Sequence, residues 1–261
     1  MKIVACYSIK GGVGKTATAI NLAYAAAQDG LRTLICDLDP QGASSYYFRV
    51  RPSTKLKADT FFTRRDRLVR NIKGSDYPRL DILPANLAYR DFDQMLAGMK
   101  KSRLRLSQLL HSLSDEYDLV VLDCPPNITI LSENIFHASD QVVVPVIPTT
   151  LSQRTFSQLL GFYKESNLKR KSLLPFFSMV EQRKRMHNEV RQDMRKAYKR
   201  FLQSEVPYSV DVENMGVTRE PLLVTQPRSP AALAFTQLWR ELKQRSNGVS
   251  QGELKGAKDG D

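Results

Sequence analysis

Histidine, cysteine and tryptophan are scarce in this chain, with three His, three Cys and one Trp among 261 residues. His111, His137 and His187 lie far apart in sequence, so no histidine-rich metal centre or catalytic cluster is legible, and no chemistry is assigned to them. Cys6, Cys36 and Cys124 lack metal-ligand spacing, and an odd number cannot pair fully. Each falls in or beside an apolar run, so all three are expected to be reduced core thiols in a cytoplasmic protein. Long apolar runs are missing too. None reaches the roughly 20 residues needed to span a bilayer, and no signal or transit segment is expected. Acidic residues are outnumbered, 27 Asp and Glu against 39 Lys and Arg, for a formal net charge of +12. Such an excess favours a polyanionic partner, nucleic acid or an acidic membrane surface.

What is present is a regular alternation. Apolar, β-branched runs recur at 2–7, 33–36, 80–83, 119–122, 141–147 and 173–180, with helical periodicity between most of them. Continuous rather than alternating apolar runs suit strands buried on both faces of a parallel sheet. Strands alternating with helices give right-handed βαβ units, so the expected fold is α/β, a doubly wound, mostly parallel sheet with helices on both faces. The alternation never restarts, which predicts one domain over 1–246. The remaining 247–261 is polar and glycine-rich and is expected to be a disordered tail. The stretch 49–79 holds ten Lys and Arg against three Asp and reads as a partly ordered excursion from the core.

The first apolar run leads into Ser8-Ile9-Lys10-Gly11-Gly12-Val13-Gly14-Lys15-Thr16, and a helix-like run follows from Ala17. Strand, glycine-rich turn, Gly-Lys-Thr and helix form a phosphate-binding arrangement. Glycines let backbone N–H groups approach phosphate oxygens, and the helix N-terminus adds partial positive charge. In this arrangement Lys15 reaches the β- and γ-phosphates and the Thr16 hydroxyl binds Mg²⁺. An ordinary P-loop would have glycine at position 9; Ile9 stands there instead, and a second lysine, Lys10, comes directly after it. Two further motifs end apolar runs: Asp37-Leu38-Asp39-Pro40-Gln41-Gly42, and Asp123-Cys124-Pro125-Pro126 after Leu119-Val120-Val121-Leu122. Ligands of open α/β sheets sit at the carboxyl ends of strands, where all three motifs fall.

This loop resembles the deviant Walker A box of the ParA/MinD family of ATPases, and the order of the other two motifs and of the proline-rich region 206–230 agrees with it. The resemblance implies a P-loop NTPase fold and an ATP hydrolase using ATP and Mg²⁺, weak and stimulated by a partner. It implies nucleotide contacts from Lys10, Gly11, Gly12, Val13, Gly14, Lys15, Thr16, Ala17 and Pro207. It further implies metal contacts from Thr16, Asp123 and Asp39, and catalytic roles for Lys10, Lys15 and Asp39, the last orienting the attacking water. Asp37 is expected to tune the metal shell or the switch. Lys10 matches the lysine that, in the family, crosses to the nucleotide of the facing subunit, which implies a homodimer formed with ATP.

The segment 162–203 carries twelve Lys and Arg against four acids. Val190, Met194, Ala197, Tyr198 and Phe201 follow helical spacing and are expected to face the core. Arg191, Arg195 and Lys199 fall at i, i+4 and i+8, with Lys196 and Arg200 beside them and Arg183, Lys184 and Arg185 preceding. This stripe is the candidate surface for nonspecific DNA, through phosphate contacts rather than base readout. A membrane partner is disfavoured, because the last amphipathic segment, 231–242, reads as a core-packing helix. The expected function is positioning or segregation of a cargo along the nucleoid, with an ATPase-stimulating adaptor on that cargo. The alternative is a MinD-like, membrane-associated division-site regulator.

Overall fold

The computed structural model describes residues 1–51 and 58–255. Eight strands form one sheet: β1 (Lys2–Cys6), β2 (Thr33–Asp37), β3 (Lys73–Gly74), β4 (Leu80–Leu83), β5 (Leu119–Asp123), β6 (Gln141–Val146), β7 (Leu173–Val180) and β8 (Glu205–Pro207). Their order is β3-β4-β2-β5-β1-β6-β7-β8, and every pairing is parallel except that of β3 with β4. The six long strands coincide with the apolar runs. Two were not legible: β3 and β8 have two and three residues, too few to show a period.

Side chains alternate between the two faces of the sheet. Ile3, Ala5 and Tyr7 join Leu34, Cys36, Val120 and Leu122 in one core, and Val4 and Cys6 join Ile35, Val121 and Val143 in the other. In chain order the larger helices are α1 (Lys15–Gln28), α2 (Ala43–Tyr47), α3 (Ala58–Phe61), α4 (Arg65–Asn71), α5 (Phe92–Ala97) and α6 (Arg105–His111). They continue with α7 (Ile130–Ala138), α8 (Thr150–Glu165), α9 (Arg185–Ala197), α10 (Val210–Thr218), α11 (Leu222–Thr225) and α12 (Pro230–Lys255). Helices α3 to α9 cover the first face; α1, α10, α11 and α12 cover the second. This is the doubly wound layer that the alternation predicts. Ala19, Ala23 and Ala26 of α1 are wholly buried, and such small side chains let α1 lie close on the sheet. Buried Asn21 fixes its neighbour: the amide oxygen accepts from Leu223 N at 3.2 Å, tying α11 to α1. Cys6, Cys36 and Cys124 are free and buried.

One expectation needs correction. The excursion 49–79 is not peripheral: Phe61, Phe62 and Leu68 enter the first core, so its few large apolar residues outweigh its charge, while 52–57 lie outside the described residues. The last helix, α12, is anchored by packing and runs to Lys255, with 256–261 outside the described residues.

That anchor is the face Ala231, Ala232, Phe235, Leu238, Trp239 and Leu242, all buried as predicted. Trp239 Nε1 donates to Asp29 Oδ2 at 2.6 Å, just after α1. Leu238→Ala should lower stability by about 3 kcal/mol, from lost transfer energy plus a residual cavity. Urea unfolding should show a lower midpoint at unchanged slope; an unchanged midpoint would remove α12 from the core.

Candidate nucleotide and metal site

The sheet order β2-β5-β1 places the carboxyl ends of three strands side by side, and each carries one of the three motifs. After β1 the loop turns through Gly12 (φ 69°) and Gly14 (φ 92°), left-handed conformations that glycine adopts without strain. Gly14 is also the cap of α1, and no side chain satisfies the amides of the first helical turn. Those N–H groups and the dipole of a 14-residue helix make a seat for an anion. A side chain at Gly14 would also crowd Ser178, whose Oγ lies 3.2 Å from the position of a Cβ.

Lys15 is folded back into this seat, only 8 % exposed, with Nζ donating to the Lys10 carbonyl at 3.4 Å. Burial lowers its pKa, opposed chiefly by the nearby Asp123 carboxylate. Asp123 is the last residue of β5 and sits in register with both Asp37 of β2 and Cys6 of β1. Asp37 and Asp123 are 0 % and 1 % exposed. Each has one satisfied oxygen. Asp123 Oδ2 accepts from Ser44 Oγ at 2.7 Å, and Asp37 Oδ2 accepts from Ser45 N and Oγ at 2.8 and 2.7 Å. The nearby Thr16 hydroxyl favours the ionised form of Asp123. The Oδ1 atom of each aspartate is buried with no hydrogen-bond partner. Burial, and then the neighbouring Asp123, pushes the Asp37 carboxyl well above the usual range; burial likewise raises Asp123, against its bonds to Ser44 and Thr16 and the charge of Lys15. Two adjacent carboxylates taken out of water with orphaned oxygens need a cation or protons. Oxygen donors from Asp and Thr suit a hard divalent ion such as Mg²⁺.

A family model described as AAA domain matches residues 1–175, two thirds of the chain. The chain belongs to the ParA/MinD-like ATPases. The sporulation initiation inhibitor protein Soj of Bacillus subtilis is 28% identical over 252 residues, covering 92% of this chain and 98% of that one. A plasmid partition protein of Borrelia burgdorferi bound to AMPPNP superposes with a TM-score of 0.81 at 21% identity, over 94% of this chain and 99% of that one. Cobyrinic acid a,c-diamide synthase of Mycobacterium smegmatis, solved with ADP and magnesium, shares the fold at a TM-score of 0.78 and 23% identity, over 95% of this chain and 96% of that one. The ParA/MinD-like group is one of partitioning and positioning ATPases.

Within this ATPase fold the remaining motif residues fall as follows. Asp39 lies on the turn after β2, partly exposed, where its Oδ1 accepts from Gln41 N at 3.0 Å; it stands outside the buried carboxylate pair. Gly11 and Gly12 are exposed on the loop, and Val13 is buried under it. Lys10 is partly buried and has no carboxylate within ion-pairing distance among the described residues. Gly14, Ala17 and Pro207 line one pocket beside the loop, together with Ser178, Met179 and Tyr208. Sequence reasoning underrated Asp37 and missed Ser44 and Ser45. The signal was present: Asp37 ends an apolar strand just as Asp123 does, and serines follow at short range.

The basic stripe changes most. α9 ends at Ala197, so Lys199 and Arg200 do not continue it, and Ala197 is exposed. Val190, Met194, Tyr198 and Phe201 are buried as expected. Arg191 and Arg195 are not free cations: both pair with Glu205 of β8, and their side chains are 20% and 26% exposed. The carboxylate that neutralises them lies in another strand, which helical spacing cannot reveal. Lys184 pairs with Glu181 and Arg185 with Glu189, while Arg200 donates to the Lys171 carbonyl at 2.5 Å. Arg183, Lys196 and Lys199 remain exposed without an ion pair among the described residues.

Without a divalent cation the folded protein holds protons on Asp37 and Asp123 that the unfolded chain releases near the ordinary carboxylate pKa of about 4. The native state then binds more protons, and stability falls as pH rises through the raised values. Thermal melts in EDTA should show this decline between about pH 5 and pH 8. Asp37→Asn should flatten it and Mg²⁺ with nucleotide should reverse it. A metal-free Tm that rises over this window would contradict the assignment.

Proposed function

We propose that this chain is an ATP hydrolase that uses Mg²⁺, pairs with a second copy in its ATP-bound form and binds nonspecific DNA. A cargo would be positioned or segregated by the cycle of binding and release. The observation that carries this reading is the buried Asp37–Asp123 pair, each with an open oxygen, directly beside the seat of Lys15 and the α1 amides. Phosphoryl transfer needs the phosphates held, their charge neutralised and the nucleophile aimed. Lys15 and the backbone from Gly11 to Gly14 hold the phosphates, with Ala17 and Pro207 alongside the base and sugar. Thr16 and Asp123 hold the metal, directly or through water, and Asp37 adds charge behind them. Asp39, on the exposed turn above this layer, is assigned the attacking water rather than a direct metal bond. Bound Mg²⁺ would neutralise the phosphates and the two buried carboxylates together.

Lys10 carries the dimer. Its carbonyl is taken by Lys15, while its own ammonium lacks a carboxylate among the described residues, so it is available to the triphosphate held by a facing copy. ATP then acts as the ligand that favours the paired state, and hydrolysis withdraws it. Asp39→Ala should bind ATP and remain dimeric by light scattering, yet turn over on the order of 100-fold more slowly or worse. Lys15→Ala should lose tight nucleotide binding, and Lys10→Ala should bind ATP as a monomer. Normal turnover in Asp39→Ala, or a monomer with ATP in every variant, would overturn the scheme.

Of the two polyanions that the charge allows, nucleic acid and an acidic membrane surface, we assign DNA. Among the described residues no helix is long and apolar enough to cross a membrane, and the apolar face of α12 is committed to the core. We assign the phosphate contacts to Arg183, Lys196 and Lys199, which are exposed without an ion pair among the described residues, whereas the rest of the stripe is held in ion pairs or carbonyl contacts. Lys196→Glu with Lys199→Glu should weaken DNA binding across all sequences and shallow its dependence on salt. Arg191→Ala should chiefly lower stability instead. Binding that ignores salt, or flotation with liposomes in place of a DNA gel shift, would favour the membrane reading.

A further inference from the structure

At the end of the sheet opposite the phosphate loop lies a cavity of about 380 Å³, the size of a small-ligand site. Its floor is the amino ends of β1, β6 and β7, and its walls are the last residues of α6 and α7, the segment before β7, Arg200, and α12. Lys2, Lys169, Lys171, Arg200 and Arg245 line it together with His111 and His137, against one carboxylate, Asp140. That carboxylate is already committed: Oδ2 accepts from Ile3 N at 2.8 Å and Oδ1 lies 3.8 Å from Lys2 Nζ. Arg245 pairs with Glu241 at 3.5 Å. Lys169, Lys171 and Arg200 have no carboxylate within ion-pairing distance among the described residues. Arg200 gives Nη2 to the Lys171 carbonyl, and its buried Nε has no acceptor.

We propose that this cavity is a second anion site, separate from the nucleotide pocket, for a compact ligand carrying linked phosphate groups. The cations converge from several elements into a concavity instead of lining one face, which suits a small, multiply charged group. A nucleic-acid backbone spreads its charges along a line and would meet a ridge or groove. Three unpaired cations approximate the charge of a pyrophosphate unit. Length separates the two sites: β1 has five residues, so the phosphate loop begins roughly 15 Å from Lys2. Burial lowers the pKa of His137, and Arg103 and Lys169 lower it further, against Glu133.

The chain has only three histidines, and they make the test direct. His111 and His137 line the cavity, while His187 is buried elsewhere with Nδ1 accepting from Glu181 N at 3.1 Å. Inorganic pyrophosphate is titrated into the full chain while ring resonances are followed by NMR. The titration is run with Lys15→Ala and, separately, with wild type saturated with a non-hydrolysable ATP analogue and Mg²⁺. Expected are shifts of His111 and His137 with His187 still, and a rise in the apparent pKa of His137. Replacing the exposed pair by Lys169→Ala with Lys171→Ala should weaken pyrophosphate binding about tenfold or more, from the loss of charge-assisted bonds, with ATP turnover unchanged. Unmoved His111 and His137 resonances, or equal affinity in the double variant, would overturn the site. So would displacement of pyrophosphate by duplex DNA with the same two histidines responding, which would make this face a nucleic-acid contact. Because the phosphate loop is disabled or filled in both arms, the outcome does not depend on the ATPase reading.

Discussion

Two carboxylates buried side by side, Asp37 at the end of β2 and Asp123 at the end of β5, are the constraint around which the functional end of this protein is arranged. Placing adjacent negative charges out of water is unfavourable unless something positive or protic meets them. The protein supplies part of the answer through Ser44, Ser45, Thr16 and Lys15, and leaves one oxygen on each aspartate open. A sheet that tolerates this arrangement without its ligand gives up stability to keep the site ready, as is common where stability and function compete. The register of β2 with β5 sets the spacing, so the same backbone pairing that builds the core also fixes the distance between the two carboxylates.

The loop after β1 depends on that pair in turn. Lys15 is buried, and burial alone would favour its neutral form. Ionised Asp123 acts against that desolvation, and Lys15 in turn limits how far burial raises the Asp123 carboxyl. The left-handed turns at Gly12 and Gly14 bring the chain back over the lysine and leave the α1 amides open. Loop, helix terminus and carboxylates therefore form one electrostatic unit, in which a phosphate and a divalent ion each make good the other's cost.

Most of this was legible in the sequence. The six long strands are continuous apolar runs because both faces of each are covered, and that pattern survives without any tertiary knowledge. The three motifs announced themselves by composition and by their place at strand ends. Less visible were partners contributed across the sheet. Nothing near Asp37 in sequence shows that it will stand beside Asp123, 86 residues on, until β2 and β5 pair in register. Ser44 and Ser45 look like ordinary helix-start residues until they are seen to satisfy those carboxylates. The basic stripe shows the same limit in reverse. Helical spacing correctly put Val190 and Met194 inside, yet a count of charges along α9 could not register Glu205, which reaches Arg191 and Arg195 from β8.

That pairing bears on how the two ends of the molecule communicate. Glu205 and Pro207 belong to the same three-residue strand: one holds the arginines of α9, the other borders the pocket beside Gly14 and Ala17. A nucleotide that shifts Pro207 therefore acts on a strand whose first residue anchors the basic helix through two half-buried ion pairs. Breaking one partner of such a pair strands the other charge, so the helix and the strand are expected to move as a unit rather than separately. Under the proposed function, a nucleotide in that pocket would have a short mechanical route to the surface proposed for DNA, through the ion pairs that Glu205 makes with α9.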